Sequence, residues 1–130
     1  MNIRTVFIFA TLAVLAGSCK STSKTTSAEE LNSKTEVTVR EEKVKPVDLS
    51  NETLYRYYVI IGSFREFENV RQFNAGLAKD GFKPVILKNE NGLFRVSVGA
   101  FDDERAARKK ITKIRADSDK YDDVWLLVRK

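Results

Sequence analysis

The 130-residue chain carries 23 Lys and Arg against 18 Asp and Glu, a formal charge of +5, with no histidine, one cysteine and one tryptophan. That length suits one small domain plus extensions. Without histidine the commonest general base and metal ligand is missing, and one cysteine excludes an internal disulfide, a Cys-x-x-Cys redox pair and a cysteine-built zinc site. No metal or cofactor is therefore expected, and binding gains weight over catalysis.

Residues 1–18 carry a single charge, Arg4, and the stretch from Thr5 to Ala16 is uncharged. About a dozen residues are too few to span a bilayer, which takes about 20, and match the core of a signal peptide. Ala16-Gly17-Ser18 then lead into Cys19, the only cysteine. This arrangement resembles the lipobox of bacterial lipoproteins, with Leu15 one step earlier than the usual leucine. The resemblance implies a signal peptide over 1–18, a diacylglycerol on the Cys19 thiol and stable attachment to a membrane. The alternative is an ordinary secretory signal cut after Ala16 or Ser18. Lys20 follows the cysteine where lipoproteins kept in the inner membrane often have Asp, which implies the outer membrane and a domain facing the periplasm.

Residues 19–54 read as a flexible linker. Lys20 to Ser27 is almost all Ser, Thr and Lys, with little to bury. Glu36 to Lys45 alternates charges with Val37, Val39 and Val44 until Pro46 interrupts. A short strand over Glu36–Arg40 is one reading, and a solvated linker is the favoured one. As a coil, such a tether would reach about 30–35 Å.

The folded part begins near residue 55. Residues 55–130 hold 16 basic and 11 acidic groups, so the positive excess lies here, in keeping with an anionic partner. Val59-Ile60-Ile61-Gly62-Ser63-Phe64 aligns with Val96-Ser97-Val98-Gly99-Ala100-Phe101 at a spacing of 37 residues. Each half reads as strand, glycine-containing turn, helix, strand. In the first half, Val70, Phe73 and Leu77 make one apolar stripe of a helix over Glu66–Asp80, with Gly81 as its stop. A strand over Lys83–Lys88 follows, then Asn91-Gly92, the signal of a two-residue hairpin. The second half offers a strand over Phe94–Val98. Its helix begins after Asp102 as N-cap, with Ala107, Ile111 and Ile114 inward. The last strand is Asp123–Arg129. Lys109, Lys110, Lys113 and Arg115 suit the C-terminal half of that helix.

The order β-α-β-β-α-β predicts an α+β, ferredoxin-like (RNP-like) domain: a four-stranded antiparallel sheet with both helices on one face. Side chains alternate along strands. Phe94, Val96, Val98, Val124, Leu126, Val128, Val59 and Ile61 are expected to meet the helices. Tyr58, Ile60, Arg95, Ser97, Trp125 and Leu127 then share the other, open face. In the strand over 83–88, either Ile86, or Val85 with Leu87, faces out. Aromatic rings beside an arginine make a platform for a flat ligand, since sugars and bases both stack on Trp and Tyr, and Arg grips a carboxylate or phosphate with two bonds. The alternative is that Trp125 and Tyr58 are half-buried sheet aromatics.

Tyr57-Tyr58-Val59-Ile60-Ile61-Gly62-Ser63-Phe64, Asn74-Ala75, Gly81-Phe82 and Phe94-Arg95-Val96-Ser97-Val98-Gly99-Ala100-Phe101 closely resemble the SPOR (sporulation-related repeat) domain. The ending around Trp125-Leu126-Leu127 is similar to SPOR lipoproteins of Bacteroidetes type. The resemblance covers about 55–130. It implies binding of peptidoglycan, with a preference for glycan strands stripped of their stem peptides, which collect at division sites. It also implies division proteins as further partners and a site on the open sheet face. By motif position it adds Ser63, from the Gly-Ser-Phe turn, and assigns Arg95 and Trp125. Ile60 stands where many members carry Gln.

Three other functions fit parts of this pattern. An RNA-recognition module shares the topology, but the aromatic-rich central strands of that class are missing and the export signal argues against nucleic acid. A glycan hydrolase needs two carboxylates across a cleft. The face as assigned has none, so the chain reads as a non-enzyme. A protein-docking module of an envelope complex would use Ile60, Leu127 and Trp125 as an apolar patch.

Overall fold

The computed structural model describes residues 36–48 and 53–130. The expected signal peptide and Cys19 lie outside the described residues. The elements run β1 (Val39–Glu42), β2 (Val44–Pro46), β3 (Tyr57–Phe64), α1 (Phe67–Lys79), β4 (Val85–Asn89), β5 (Phe94–Phe101), α2 (Glu104–Asp117), a 3-10 turn (Asp119–Tyr121) and β6 (Trp125–Arg129).

The 37-residue repeat survives as geometry. β3 and β5 are eight-residue antiparallel neighbours at the centre of the sheet. Gly62 and Gly99 occupy equivalent places in them, and each has an aromatic ring pressed onto its Cα. A Cβ on Gly62 would lie 2.7 Å from the Phe73 ring and 2.9 Å from the Phe64 ring. On Gly99 it would lie 2.8 Å from the Phe101 ring. The glycines are there because the rings need that space.

The apolar stripes act as expected. Val70 and Leu77 of α1, and Ala107, Ile111 and Ile114 of α2, are buried against Val59, Ile61, Val96, Val98, Val124 and Leu126. Both helices therefore cover one face of the sheet. The helix ends differ. α2 is capped not by Asp102 but by Asp103, whose Oδ2 accepts the Ala106 amide at 3.1 Å. Glu66, the N-cap residue of α1, makes no side-chain cap bond. Past α1, Gly81 turns the chain with φ +86°. There Asp80 accepts from Lys120 Nζ at 2.8 Å and from the Tyr121 hydroxyl, tying α1 to the 3-10 turn.

The β4–β5 connection is not the two-residue hairpin that Asn91-Gly92 predicts. Asn89 N–H donates to Leu93 O at 3.0 Å, so three residues form the loop, with Gly92 in the left-handed region at φ +78°. The Asn89 side chain fixes it by accepting the amides of Asn91 and Leu93 at 3.0 and 2.9 Å.

The larger correction concerns the sheet. It has six strands, not four, in the order β1-β6-β3-β5-β4-β2, and β1 runs parallel to β6, so it is mixed rather than antiparallel. The additional strands come from residues read as linker. β1 and β2 sit at opposite edges of that order, yet only Lys43 separates them. Two Cα–Cα steps reach at most about 7 Å. The two edges must therefore approach each other, and the segment 39–46 bridges them. One half pairs with β6 and the other with β4, where Lys45 faces Lys88 and Pro46 faces Leu87. The sheet rolls around its helix-free side, which becomes an interior.

Candidate functional site

That interior holds a second apolar cluster: Val44, Tyr58, Ile60, Leu87 and Leu127, with Tyr55, Ala100 and Trp125 at its margin. The strand phases predicted for β3, β5 and β6 are correct, and in β4 it is Leu87 that faces this side. The predicted openness is not found. Tyr58, Ile60, Arg95, Ser97 and Leu127 are all buried, Ile60 and Leu127 completely. Trp125 is half-buried and Ser63, opposite Arg95 in register, is exposed. What covers the face is β1–β2, which brings Val44 down to 5 % exposure against these residues. Ile60 fits this arrangement: an aliphatic side chain suits a place under Val44, where an amide would need a partner.

On the covered face, near the β4–β5 loop, stands Arg95. Its Nε donates to Glu42 Oε2 at 3.0 Å and its Nη2 to Oε1 at 2.5 Å. Asn89 Nδ2 donates a third bond to Oε2 at 3.1 Å. Burial alone would push the Glu42 carboxyl up. The hydrogen bonds from Arg95 and Asn89 and the charges of Arg95 and Arg40 outweigh that and hold its pKa below the ordinary carboxylate range. Two guanidiniums lie over the Trp125 ring, with Arg95 Cζ 5.3 Å and Arg40 Cζ 5.4 Å from its centroid. The arrangement is a built receptor for one carboxylate beside an indole, and the chain's own Glu42 fills it.

The other polar members are used locally. The Ser97 hydroxyl donates to Gly99 O at 2.8 Å, and the Tyr58 hydroxyl accepts the Tyr55 amide at 3.0 Å. Sequence reasoning missed Glu42 and Asn89. Only the Val37/Val39 alternation marked the segment as strand, and it points to the wrong side: the inward set is Glu42, Val44 and Pro46.

Beside the strap formed by β1 and β2 lies an open groove of about 850 Å³, whose lining includes Lys43, Lys45, Phe67, Lys88, Phe94 and Arg129. The Phe67 ring packs tilted against Phe94 with centroids 5.4 Å apart and remains exposed, and Lys88 Nζ sits 5.2 Å from the Phe94 centroid. It is an accessible place where aromatic and cationic groups meet.

A family model, SPOR domain, matches residues 53–125, more than half of the chain. No curated protein and no solved structure matches it.

Proposed function

The chain belongs to the SPOR domain family, whose members are peptidoglycan-binding modules, and from that premise we propose that it is an envelope lipoprotein that holds glycan strands stripped of stem peptides at division sites. It binds and does not catalyse. The observation that carries the reading is the Arg95 receptor, a guanidinium and an amide converging on both oxygens of a carboxylate next to an indole. A muramic acid residue without its peptide exposes one lactyl carboxylate on a saccharide ring. Arg95 with Asn89 takes that carboxylate, as they take Glu42 here, and Trp125 stacks on the ring. Tyr58, Ile60, Ser97 and Leu127 form the floor and Ser63 the rim. An acyl-modified Cys19 holds the protein at the outer membrane, facing the periplasm, and division proteins are its neighbours.

A second reading places the glycan in the groove lined by Phe67, Phe94, Lys45 and Lys88. It is favoured by one observation: the groove is open while the sheet face is covered.

Pelleting with sacculi tests the function. Wild type should sediment with amidase-treated sacculi more than with intact ones. Trp125→Ala and Arg95→Lys, each checked for folding by thermal unfolding, should bind less. Equal binding by all three discards the sheet-face site. A fluorescent fusion that fails to collect at septa removes the division-site assignment.

A further inference from the structure

Three facts about residues 36–48 belong together. The segment precedes the family match, which begins at residue 53. It covers the sheet face on which the glycan-binding reading places the ligand. It also delivers to Arg95 the chemical group that reading assigns to the ligand, a carboxylate gripped by both oxygens. We infer that β1–β2 is an autoinhibitory strap, a surrogate ligand that must leave the sheet before a carboxylate-bearing saccharide can enter. The inference rests on the peptidoglycan reading and adds to it the regulation of the site.

The strap is built to be the first part to detach. Val44 is its only fully buried side chain. Val39, Arg40, Glu41, Lys43, Lys45 and Val47 are exposed, whereas β3 buries Tyr58, Val59, Ile60 and Ile61. It lies at the margins of the sheet, fastened by two short ladders, by backbone bonds such as Leu126 N–H to Thr38 O at 2.9 Å and Val47 N–H to Ile86 O at 2.9 Å, and by Glu42. Segments with few buried apolar contacts open at lower free energy than the core. The four central strands and both helices keep their common apolar cluster when the strap leaves, because that cluster lies on the opposite face and takes only the half-buried Val37 from this segment. Arg95 is paired with a carboxylate in both the closed and the ligand-bound state, so only the open state leaves the guanidinium without its counter-charge, which keeps that state sparsely populated. Binding is then weakened by the fraction of molecules that are open.

A reversible lock tests this. Lys45 and Lys88 face each other across the antiparallel β2–β4 ladder, and both are exposed. Partners in such a ladder lie about 4.5–5.5 Å apart at Cα, within disulfide range. The full chain with Lys45→Cys and Lys88→Cys, in a Cys19→Ser background, is pelleted with amidase-treated sacculi oxidised and reduced. The reduced form is the control for loss of the two lysines. Glu42→Gln, which keeps the shape of the strap and removes its charge, is the opposite arm. The strap predicts weak binding by the oxidised form, recovery on reduction, and tighter binding by Glu42→Gln, about tenfold. Equal binding by oxidised and reduced forms overturns the strap while leaving peptidoglycan binding intact. If neither wild type nor Glu42→Gln pellets, the peptidoglycan reading itself fails and the strap with it.

Discussion

Glu42 and Arg95, 53 positions apart in the chain, meet in a two-bond fork, Nη2 to Oε1 at 2.5 Å and Nε to Oε2 at 3.0 Å. Their side chains are 15 % and 8 % exposed, so both charges have left most of their water. A pair of this kind is costly to break and inexpensive to replace, because the desolvation of two ions roughly offsets their attraction. Glu42→Leu or Arg95→Met alone leaves the partner's charge without its counter-ion and should lower stability by about 3 kcal/mol in urea titration. The double variant should recover most of that loss, to within about 1 kcal/mol of wild type. If the two losses simply add, the pair is not coupled as the geometry requires.

The same carboxylate gives the molecule an acid-sensitive fastening. A group whose pKa is depressed in the folded state contributes stability that is present above its unfolded pKa and is lost as the pH falls through the folded one. For Glu42 the closed form is therefore fully supported above the ordinary value of 4.5 and loosens below it. Trp125, the only tryptophan, lies within 5.4 Å of the two guanidiniums that flank this carboxylate, so its fluorescence reports the change. An acid titration should show a step below pH 4.5 that is missing in Glu42→Gln. A step of equal size in both would assign it to another group.

The parts of the fold that the sequence displays are those where one rule acts alone. The 37-residue repeat, the helix stripes and the phases of β3, β5 and β6 all follow from aliphatic residues at regular intervals facing one apolar cluster. The strap breaks that rule. Its inward positions are Glu42, Val44 and Pro46, of which only Val44 is aliphatic. Glu42 is acceptable there only because Arg95 and Asn89, far along the chain, supply three hydrogen bonds, and periodicity carries no information about such a partner. Strand alternation thus places Tyr58, Ile60, Trp125 and Leu127 on the helix-free side, but whether that side is open depends on a segment whose charges make it read as solvated. The β4–β5 loop shows the same limit on a smaller scale. Asn91-Gly92 marks a turn, but its length is set by Asn89 closing onto Leu93.

The repeated glycines should not be equally tolerant. A Cβ on Gly62 meets two rings, Phe73 at 2.7 Å and Phe64 at 2.9 Å, one from the helix and one from its own strand. A Cβ on Gly99 meets one, Phe101 at 2.8 Å, with Lys110 Cγ at an ordinary 3.5 Å. Overpacking costs about 1–3 kcal/mol, least where a single side chain can swing away. Gly62→Ala should therefore lower the melting temperature more than Gly99→Ala. Phe73→Leu, which frees space on the helix side, should recover part of the loss in the Gly62→Ala background. Equal losses would mean that the two halves relax alike.

The repeat also places Glu66 and Asp103 at the same point of their halves, the N-caps of α1 and α2, 37 residues apart. Only Asp103 closes its helix, accepting the Ala106 amide at 3.1 Å. Glu66 has the same extended backbone, φ −101° and ψ 132° against −108° and 126°, yet makes no cap bond. The shorter Asp side chain places its oxygen over the first turn, whereas the extra methylene of Glu carries it past. Asp103→Ala should cost about 1 kcal/mol, and Glu66→Asp should raise stability by about 0.5–1 kcal/mol. Both residues are exposed and neither contributes to the Arg95–Glu42–Trp125 contacts, so pelleting with sacculi should stay at the wild-type level while urea midpoints move in opposite directions. A midpoint for Glu66→Asp at or below wild type would mean that the α1 amides are already satisfied by water.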